Sequence, residues 1–208
     1  MDDYNIDKLI KKIIKCDTME DAIKSIVDVS KYLFKRKLVT GNAGNVSSRF
    51  KNNEIDVVAI TPTMMSLKNI KEDDIVLVDL DGTVLTKGKP SSEVDLHLSI
   101  YKEKKDVNGI VHTHSPYATG FAFSNKKIKR LEGFGKIKKP YLDEIPYLSP
   151  GSKKLANVAA LALDEDVLIL KNHGIIATGL SLKEACSLAE FVEDTAKTQY
   201  ISHTLNQY

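Results

Sequence analysis

Two cysteines, Cys16 and Cys186, are too few for a disulfide framework, and both fall in helical patterns. The chain is therefore expected to work in a reduced compartment. Net charge is nearly absent as well: 30 basic against 28 acidic residues leave +2, which offers little to a nucleic acid or a membrane surface. The one local excess, Lys126, Lys127, Lys129 and Arg130 with Lys136, Lys138 and Lys139, reads as a solvated loop. No apolar run reaches the length of a membrane span, about 18 residues. The start, Met-Asp-Asp-Tyr, lacks the basic flank and apolar stretch of a secretory leader, so a cytoplasmic protein is expected. Neither G-x-G-x-x-G nor G-x-x-x-x-G-K-[ST] occurs, which argues against a nucleotide fold. Internal repeats and low-complexity tracts are missing too. What remains, 208 residues at 42% apolar content, suffices for one ordinary core. It is read as one domain over 1–208 with a helical extension at 1–17.

Apolar spacing organises the chain. Ile6, Leu9, Ile10, Ile13 and Ile14 repeat at helical intervals in the extension. Thr18 is placed to cap a second helix whose buried stripe is Ala22, Ile23, Ile26, Val27, Val29, Ser30 and Leu33. Strands are expected at 46–50 and 55–60, then a hairpin of 75–80 with 83–85 across Asp81-Gly82. A helix opens at Pro90 and runs to about Lys104. A strand at 110–112, a short helix at 117–123 and a stretch at 126–146 that is mostly loop with room for one strand follow. Then come a helix at 152–163, strands at 167–170 and 175–178, and a long final helix. Ser181 caps that last helix, and Ala185, Leu188, Ala189, Val192, Ala196 and Tyr200 are expected to face inward. Strands that return through hairpins, with helices arriving between them, predict a mixed α/β fold: helices sandwiching a largely antiparallel sheet.

Histidine is scarce, five in all, yet three stand in two short phrases: Val111-His112-Thr113-His114 and Lys171-Asn172-His173-Gly174. Residues i and i+2 of a strand share a face, so His112 and His114 emerge together at the end of one buried run. His173 ends a second run, before a glycine that frees the backbone to turn. Any one of them alone reads as a satisfied core histidine or a strand-end cap. Three imidazoles at the ends of two buried strands instead make three-quarters of a tetrahedral divalent-metal site, with a fourth position open or held by a carboxylate. Glu93 is the natural fourth member, in the first turn of a helix capped by Ser91 or Ser92, where the macrodipole favours its ionised form. Plain capping accounts for it equally well, since Ser92-x-x-Asp95 resembles a capping box. His97, one turn further on, could hydrogen-bond that carboxylate, but an ordinary half-buried residue is the preferred reading. Anion chemistry is suggested by Gly41-Asn42-Ala43-Gly44-Asn45, by Thr61-Pro62-Thr63 and by the hydroxyls of Ser91 and Ser92.

These phrases in order resemble the class II aldolase/adducin family. The matching stretches are G-N-A-G-N-V-S-S-R from Gly41, I-T-P-T from Ile60, I-V-L-V-D-L-D-G from Ile75 and K-P-S-S-E from Lys89. They continue with V-H-T-H from Val111, P-Y-L-S-P-G-S from Pro146 and K-N-H-G from Lys171. The resemblance spans roughly residues 20–203 and implies an αβα sandwich, commonly a homotetramer with active sites between subunits. It implies that His112, His114 and His173 bind Zn2+, with Mn2+, Co2+ or Fe2+ as alternatives for the same ligands. Glu93 would ligate the metal at rest and act as acid/base with substrate bound. The amides of the Gly41–Gly44 loop, with Asn45, Thr63, Ser91 and Ser92, would hold a sugar phosphate. Met64 stands where the family often has glycine, so the pocket is expected to differ there. The aldehyde-side tyrosine has no clear match, Tyr141 and Tyr208 being candidates.

The activity so implied is cleavage of a ketose 1-phosphate, L-fuculose 1-phosphate-like, into dihydroxyacetone phosphate and a small aldehyde such as lactaldehyde. A 4-epimerase, dehydratase or decarboxylase could use the same metal site. A non-catalytic adducin-like binding role would require loss of the metal ligands, and all are present.

Overall fold

The computed structural model describes residues 18–132 and 139–207; the apolar stripe of residues 6–14, Cys16 and Tyr208 lie outside them. The elements, in chain order, are α1 (Met19–Lys35), β1 (Asn45–Asn52), β2 (Ile55–Ile60), β3 (Val76–Asp79) and α2 (Val94–Glu103). After them come β4 (Gly109–Thr113), α3 (Pro116–Ala122), β5 (Asp143–Ile145), α4 (Lys153–Ala162), β6 (Val167–Leu170), β7 (Gly174–Gly179) and α5 (Leu182–Leu205). The strands form one sheet in the order β3-β2-β1-β4-β7-β6-β5, antiparallel throughout except for β5 beside β6. This is the expected sandwich around a largely antiparallel sheet.

Strand alternation sorts the side chains into two cores. Val46, Phe50, Val57, Ala59, Val111, Ile169 and Ala177 face α1, α3 and α5. Val58, Ile60, Val76, Ile110, Leu168 and Ile176 face α2 and α4. Fully burying one such side chain contributes about 1.5–3 kcal/mol. Exposed ion pairs such as Lys102–Asp81 and Lys51–Asp56 contribute about 0–1 kcal/mol each, so the two cores decide the fold. On the second face β1 departs from the pattern: Asn45, Ser47 and Arg49 point where its neighbours place Val, Ile and His. The Arg49 guanidinium sits over the Tyr101 ring, 5.2 Å from its centroid, and donates to the carbonyls of Tyr101, Lys104, Lys105 and Val107. A buried cation thus closes the C-terminal end of α2, where the helix dipole favours positive charge.

Caps fall where the hydroxyl residues predict. Thr18, Ser152 and Ser181 accept backbone N–H bonds from Asp21, Leu155 and Glu184 at the starts of α1, α4 and α5. Three expectations change. The return arm of the 75–85 hairpin is only a bridge, Val78 opposite Val84, with Val84 and Leu85 exposed, because that edge has no further strand to pair with. Tyr200 is 55% exposed and lies tilted against Tyr117 on the surface, since α5 has by then run past the sheet. The helix expected from Pro90 starts at Val94. Cys186 is free and buried, and burial followed by the nearby Glu190 pushes its thiol up to about 12, which leaves it inert. Among the described residues no helix is long and apolar enough to cross a membrane.

β4 approaches the start of α5 closely. A Cβ on Gly109 would overlap the backbone of Ser181 and Leu182. Gly109→Ala is expected to destabilise the protein by about 1–3 kcal/mol. Urea titration should show this as a lower midpoint at unchanged slope.

Candidate metal centre

β4 delivers His112, and His114 just past its end, to one spot, and the turn from β6 into β7 brings His173 to the same spot. The three ligating ring nitrogens lie within 4.8 Å of one another. Ring centroids are 4.8, 4.8 and 5.0 Å apart with edge-on geometries. His112 is buried at the sheet centre, and its Nδ1 donates to the Ile175 carbonyl across the strand pair at 2.9 Å. That bond fixes the tautomer and turns the Nε2 lone pair outward. Its Nε2 is 2.9 Å from Nε2 of His114.

Space at this point is made by Gly174. The turn itself uses Asn172, whose φ of 56° is left-handed, so the glycine is not the residue that bends the chain. What Gly174 supplies is room: a Cβ there would strike the Thr113 carbonyl oxygen and approach the His114 and His112 rings at 2.9 and 3.3 Å.

Glu93 closes the arrangement. It occupies the cap position before α2, not the first turn, and its side chain makes no capping bond. The carboxylate, 6% exposed, instead points to the histidines, Oε2 to His112 Nε2 at 3.1 Å and Oε1 toward His173 Nε2 at 3.5 Å. Capping is therefore not its role. Burial would raise its pKa, but His112, His173 and the Asn45 amide outweigh burial and hold it well below the usual carboxylate range. His112 is shifted upward because Glu93 overcomes its burial. Burial and then His112 hold His114 and His173 at about 4, so both are neutral near pH 7 and free to ligate a cation.

The donor set fits a divalent ion. Ligand atoms about 2.0–2.1 Å from a tetrahedral metal lie about 3.3 Å from one another; the 2.9, 3.1 and 3.5 Å pairs lie close to that spacing, and the three histidine nitrogens as a set lie within 4.8 Å. Glu93 Oε1 is buried without a hydrogen-bond partner, an orphan acceptor that a cation would satisfy. Three imidazoles and one carboxylate are borderline ligands suited to zinc.

The anion-binding candidates are stitched together beside the metal centre. Thr61 N–H donates to the Val46 carbonyl and Val46 N–H to Thr61 Oγ1. Ser91 N–H donates to the Thr61 carbonyl and Thr63 N–H to the Lys89 carbonyl. Ser91 is buried and its Oγ accepts from Glu93 N–H; Ser92 is exposed, its carbonyl oxygen 2.9 Å from where a Cβ on Gly151 would lie. Gly44 has φ 83°, and a Cβ there would lie 2.5 Å from Val39 Cγ1 and 3.0 Å from the His112 carbonyl. Met64 also has positive φ, 60°, and is 81% exposed. The backbone at this position thus takes a glycine-like conformation although the residue is methionine. Tyr141 is 45% exposed on a bridge opposite Lys129.

Asn45 does more than face the loop. Its Nδ2 donates to Glu93 Oε2 at 2.9 Å and its Oδ1 lies 2.6 Å from His97 Nε2. His97 is fully buried, not half-buried, and burial holds it down at about 3, neutral at working pH. Ser47 and Tyr101 join the same cluster and carried no functional reading in the sequence. The signal that could have found them is parity: β1 places Asn45 opposite His112, and Ser47 stands two residues on along the same face.

Gly174→Ala should crowd His114 and weaken divalent-metal affinity by about 10–100-fold. Competitive Co2+ titration checks this; unchanged affinity would mean that the rings relax freely around an added methyl.

The geometry can be set beside known proteins. A family model of the class II aldolase and adducin N-terminal domain matches residues 24–200. An L-fuculose phosphate aldolase of Methanocaldococcus jannaschii is 44% identical over 174 residues, 84% of this chain and 93% of that protein. A 3-oxo-tetronate 4-phosphate decarboxylase of Haemophilus influenzae is 33% identical over 178 residues, covering 83% of each. A solved L-fuculose 1-phosphate aldolase has a TM-score of 0.82 at 30% identity, over 91% of this chain and 89% of that one. The matched span includes every strand of the sheet and all four residues around the metal centre, and the chain belongs to the class II aldolase and adducin family.

Proposed function

We propose that this protein is a zinc-dependent aldolase that cleaves a ketose 1-phosphate of the L-fuculose 1-phosphate type into dihydroxyacetone phosphate and a small aldehyde. The observation that carries the reading is Glu93: a buried, ionised carboxylate with one orphan oxygen, between the imidazoles and Ser91. A bound metal supplies a Lewis acid for the carbonyl and neighbouring hydroxyl oxygens of the substrate.

The chain's own groups do the rest. His112, His114 and His173 hold the ion, and the Ile175 carbonyl keeps His112 in the ligating tautomer. Ser91, Ser92 and Thr63, with Asn45 and the amides around Gly44, receive the substrate phosphate. Glu93 occupies the site at rest; with substrate in place, its carboxylate carries a proton to or from carbon 3 as the C3–C4 bond breaks or forms. A tyrosine of a neighbouring copy serves the aldehyde oxygen, in a homotetramer whose active sites lie between subunits. The exposed apolar side chains Phe123, Tyr200, Ile201 and Leu205 support such an assembly, which light scattering on the eluting protein would check.

A second reading, decarboxylation of a 3-oxo sugar-acid phosphate, is favoured by one observation besides the similar decarboxylase. Met64 places a large exposed side chain directly after Thr63, where the family often has glycine.

Retro-aldol assays on L-fuculose 1-phosphate with zinc present are expected to release dihydroxyacetone phosphate. Glu93→Gln and chelation should each lower the rate by at least about 100-fold. No release from a folded, metal-loaded protein that decarboxylates 3-oxo-tetronate 4-phosphate would transfer the assignment to the second reading.

A further inference from the structure

Behind Glu93 a chain of polar groups runs away from the metal centre through the layer between β1 and α2. Glu93 Oε2 is followed by Asn45 Nδ2 at 2.9 Å, and Asn45 Oδ1 by His97 Nε2 at 2.6 Å. His97 Nδ1 meets Ser47 Oγ at 2.7 Å, and Ser47 Oγ meets Tyr101 OH at 2.8 Å. Asn45, Ser47, His97 and Tyr101 are all buried. With His97 neutral, as its complete burial favours, only one proton arrangement satisfies the chain. An ionised carboxylate accepts and never donates, so Asn45 must turn its NH2 to Glu93. Its carbonyl then faces His97, so Nε2 must carry the imidazole proton. Nδ1 is left as an acceptor, Ser47 must donate to it, and Tyr101 must donate to Ser47.

We propose that His97 is a positioning residue that locks the side-chain amide of Asn45 with its NH2 toward the metal centre, so that a donor and never an acceptor faces Glu93. A primary amide has nearly the same shape in both orientations, so nothing steric chooses between them. In the flipped state Oδ1 would confront the carboxylate and, once a sugar phosphate enters, an anion as well. The Nε2–H of His97 removes that state, because a flipped amide would set two donors against each other. Ser47 and Tyr101 serve the lock by excluding the other imidazole tautomer. This inference rests on Glu93 as the proton-carrying group only for its kinetic consequence. The lock itself is a property of the resting protein.

The test begins with imidazole 15N–1H correlation spectra of the wild-type protein, which read the tautomer without any substrate. His97 is expected to be Nε2-protonated with an unprotonated Nδ1; an Nδ1-protonated ring or an imidazolium overturns the proposal. Next, His97→Leu is expected to weaken Co2+ binding by about 10-fold and lower retro-aldol kcat/KM by about 100-fold. His97→Gln, whose terminal NH2 can still donate toward Asn45 Oδ1, should recover at least half of each loss on a logarithmic scale. Equal losses in both variants, or losses that track the melting temperature alone, would make His97 a packing residue and overturn the assignment. Should His97→Leu fail to fold, Ser47→Ala decides. It is expected to admit both tautomers in the spectrum and to weaken Co2+ binding, and a single unchanged tautomer with wild-type affinity overturns the lock. If the wild-type protein proves inactive on ketose phosphates, the tautomer and cobalt measurements still stand, so failure of the aldolase reading is separable from failure of this one.

Discussion

A negative charge held out of water organises this protein. An ionised carboxylate buried to the extent of Glu93 costs several kcal/mol unless positive charge and donors surround it. Each neighbour that meets this need creates a need of its own. His112 answers the charge but must spare its Nε2, so its Nδ1 bonds across to β7. Asn45 donates to the carboxylate, and its carbonyl then requires a proton from His97, whose far nitrogen requires Ser47. The polar column through the α2–β1 layer is the consequence of one charge, carried inward through Ser47 to Tyr101. A partly satisfied column would be worse than an apolar layer, which is why all its members are buried and bonded.

That column could not exist without the sheet order. β1 lies between β2 and β4, so Asn45 stands directly opposite His112, and α2 crosses the same face with Glu93 at its start and His97 one turn along. A one-residue slip of β1 against β4 would send Asn45 and Ser47 to the other face and bring Val46 to the carboxylate. Register is protected by the apolar alternation on both sides, Val46 beside Val111 on one face and Ile110 among the second-face core on the other. Asn45 and His112 are therefore held by strands and Glu93 by a helix start, which are more rigid than loops, while His114 and His173 sit directly against strand ends. The glycines near it act chiefly by what they omit: Gly174 leaves room for the His112 and His114 rings, and Gly44 for Val39 and the His112 carbonyl.

Much of this was legible in the amino-acid sequence. Period-two and period-3.6 spacing placed the strands and helices, and hydroxyl caps located the starts of α1, α4 and α5. The i, i+2 histidines converge with the third, because the two strand ends that carry them adjoin β7. What escaped was whatever depends on distant strands being neighbours. His97 looks like an ordinary half-buried helix residue until β1 is laid beside α2, and Asn45 looks like a loop residue until β1 is laid beside β4. Local rules also misjudged the start of α2: Ser91 and Ser92 are good capping residues, but turning Glu93 inward to the imidazoles shifts the helix start past them. Tyr200 fits the helical stripe by spacing alone and fails because α5 outruns the sheet it packs on.

The metal centre and the column behind it belong to the rigid layer, and rigidity there bears on the proton and the metal more than on which bond breaks. A carboxylate beside an ion-binding imidazole set serves carbon–carbon cleavage by retro-aldol or by decarboxylation, since both leave electron density next to a carbonyl that must be stabilised and then protonated. The choice between them falls to groups that meet the rest of the substrate, and those stand on loops. Met64 stands on such a loop: a left-handed backbone conformation costs a residue other than glycine about 1–2 kcal/mol, and here it carries a long, flexible and 81% exposed side chain. A glycine would relieve that strain and remove the side chain together.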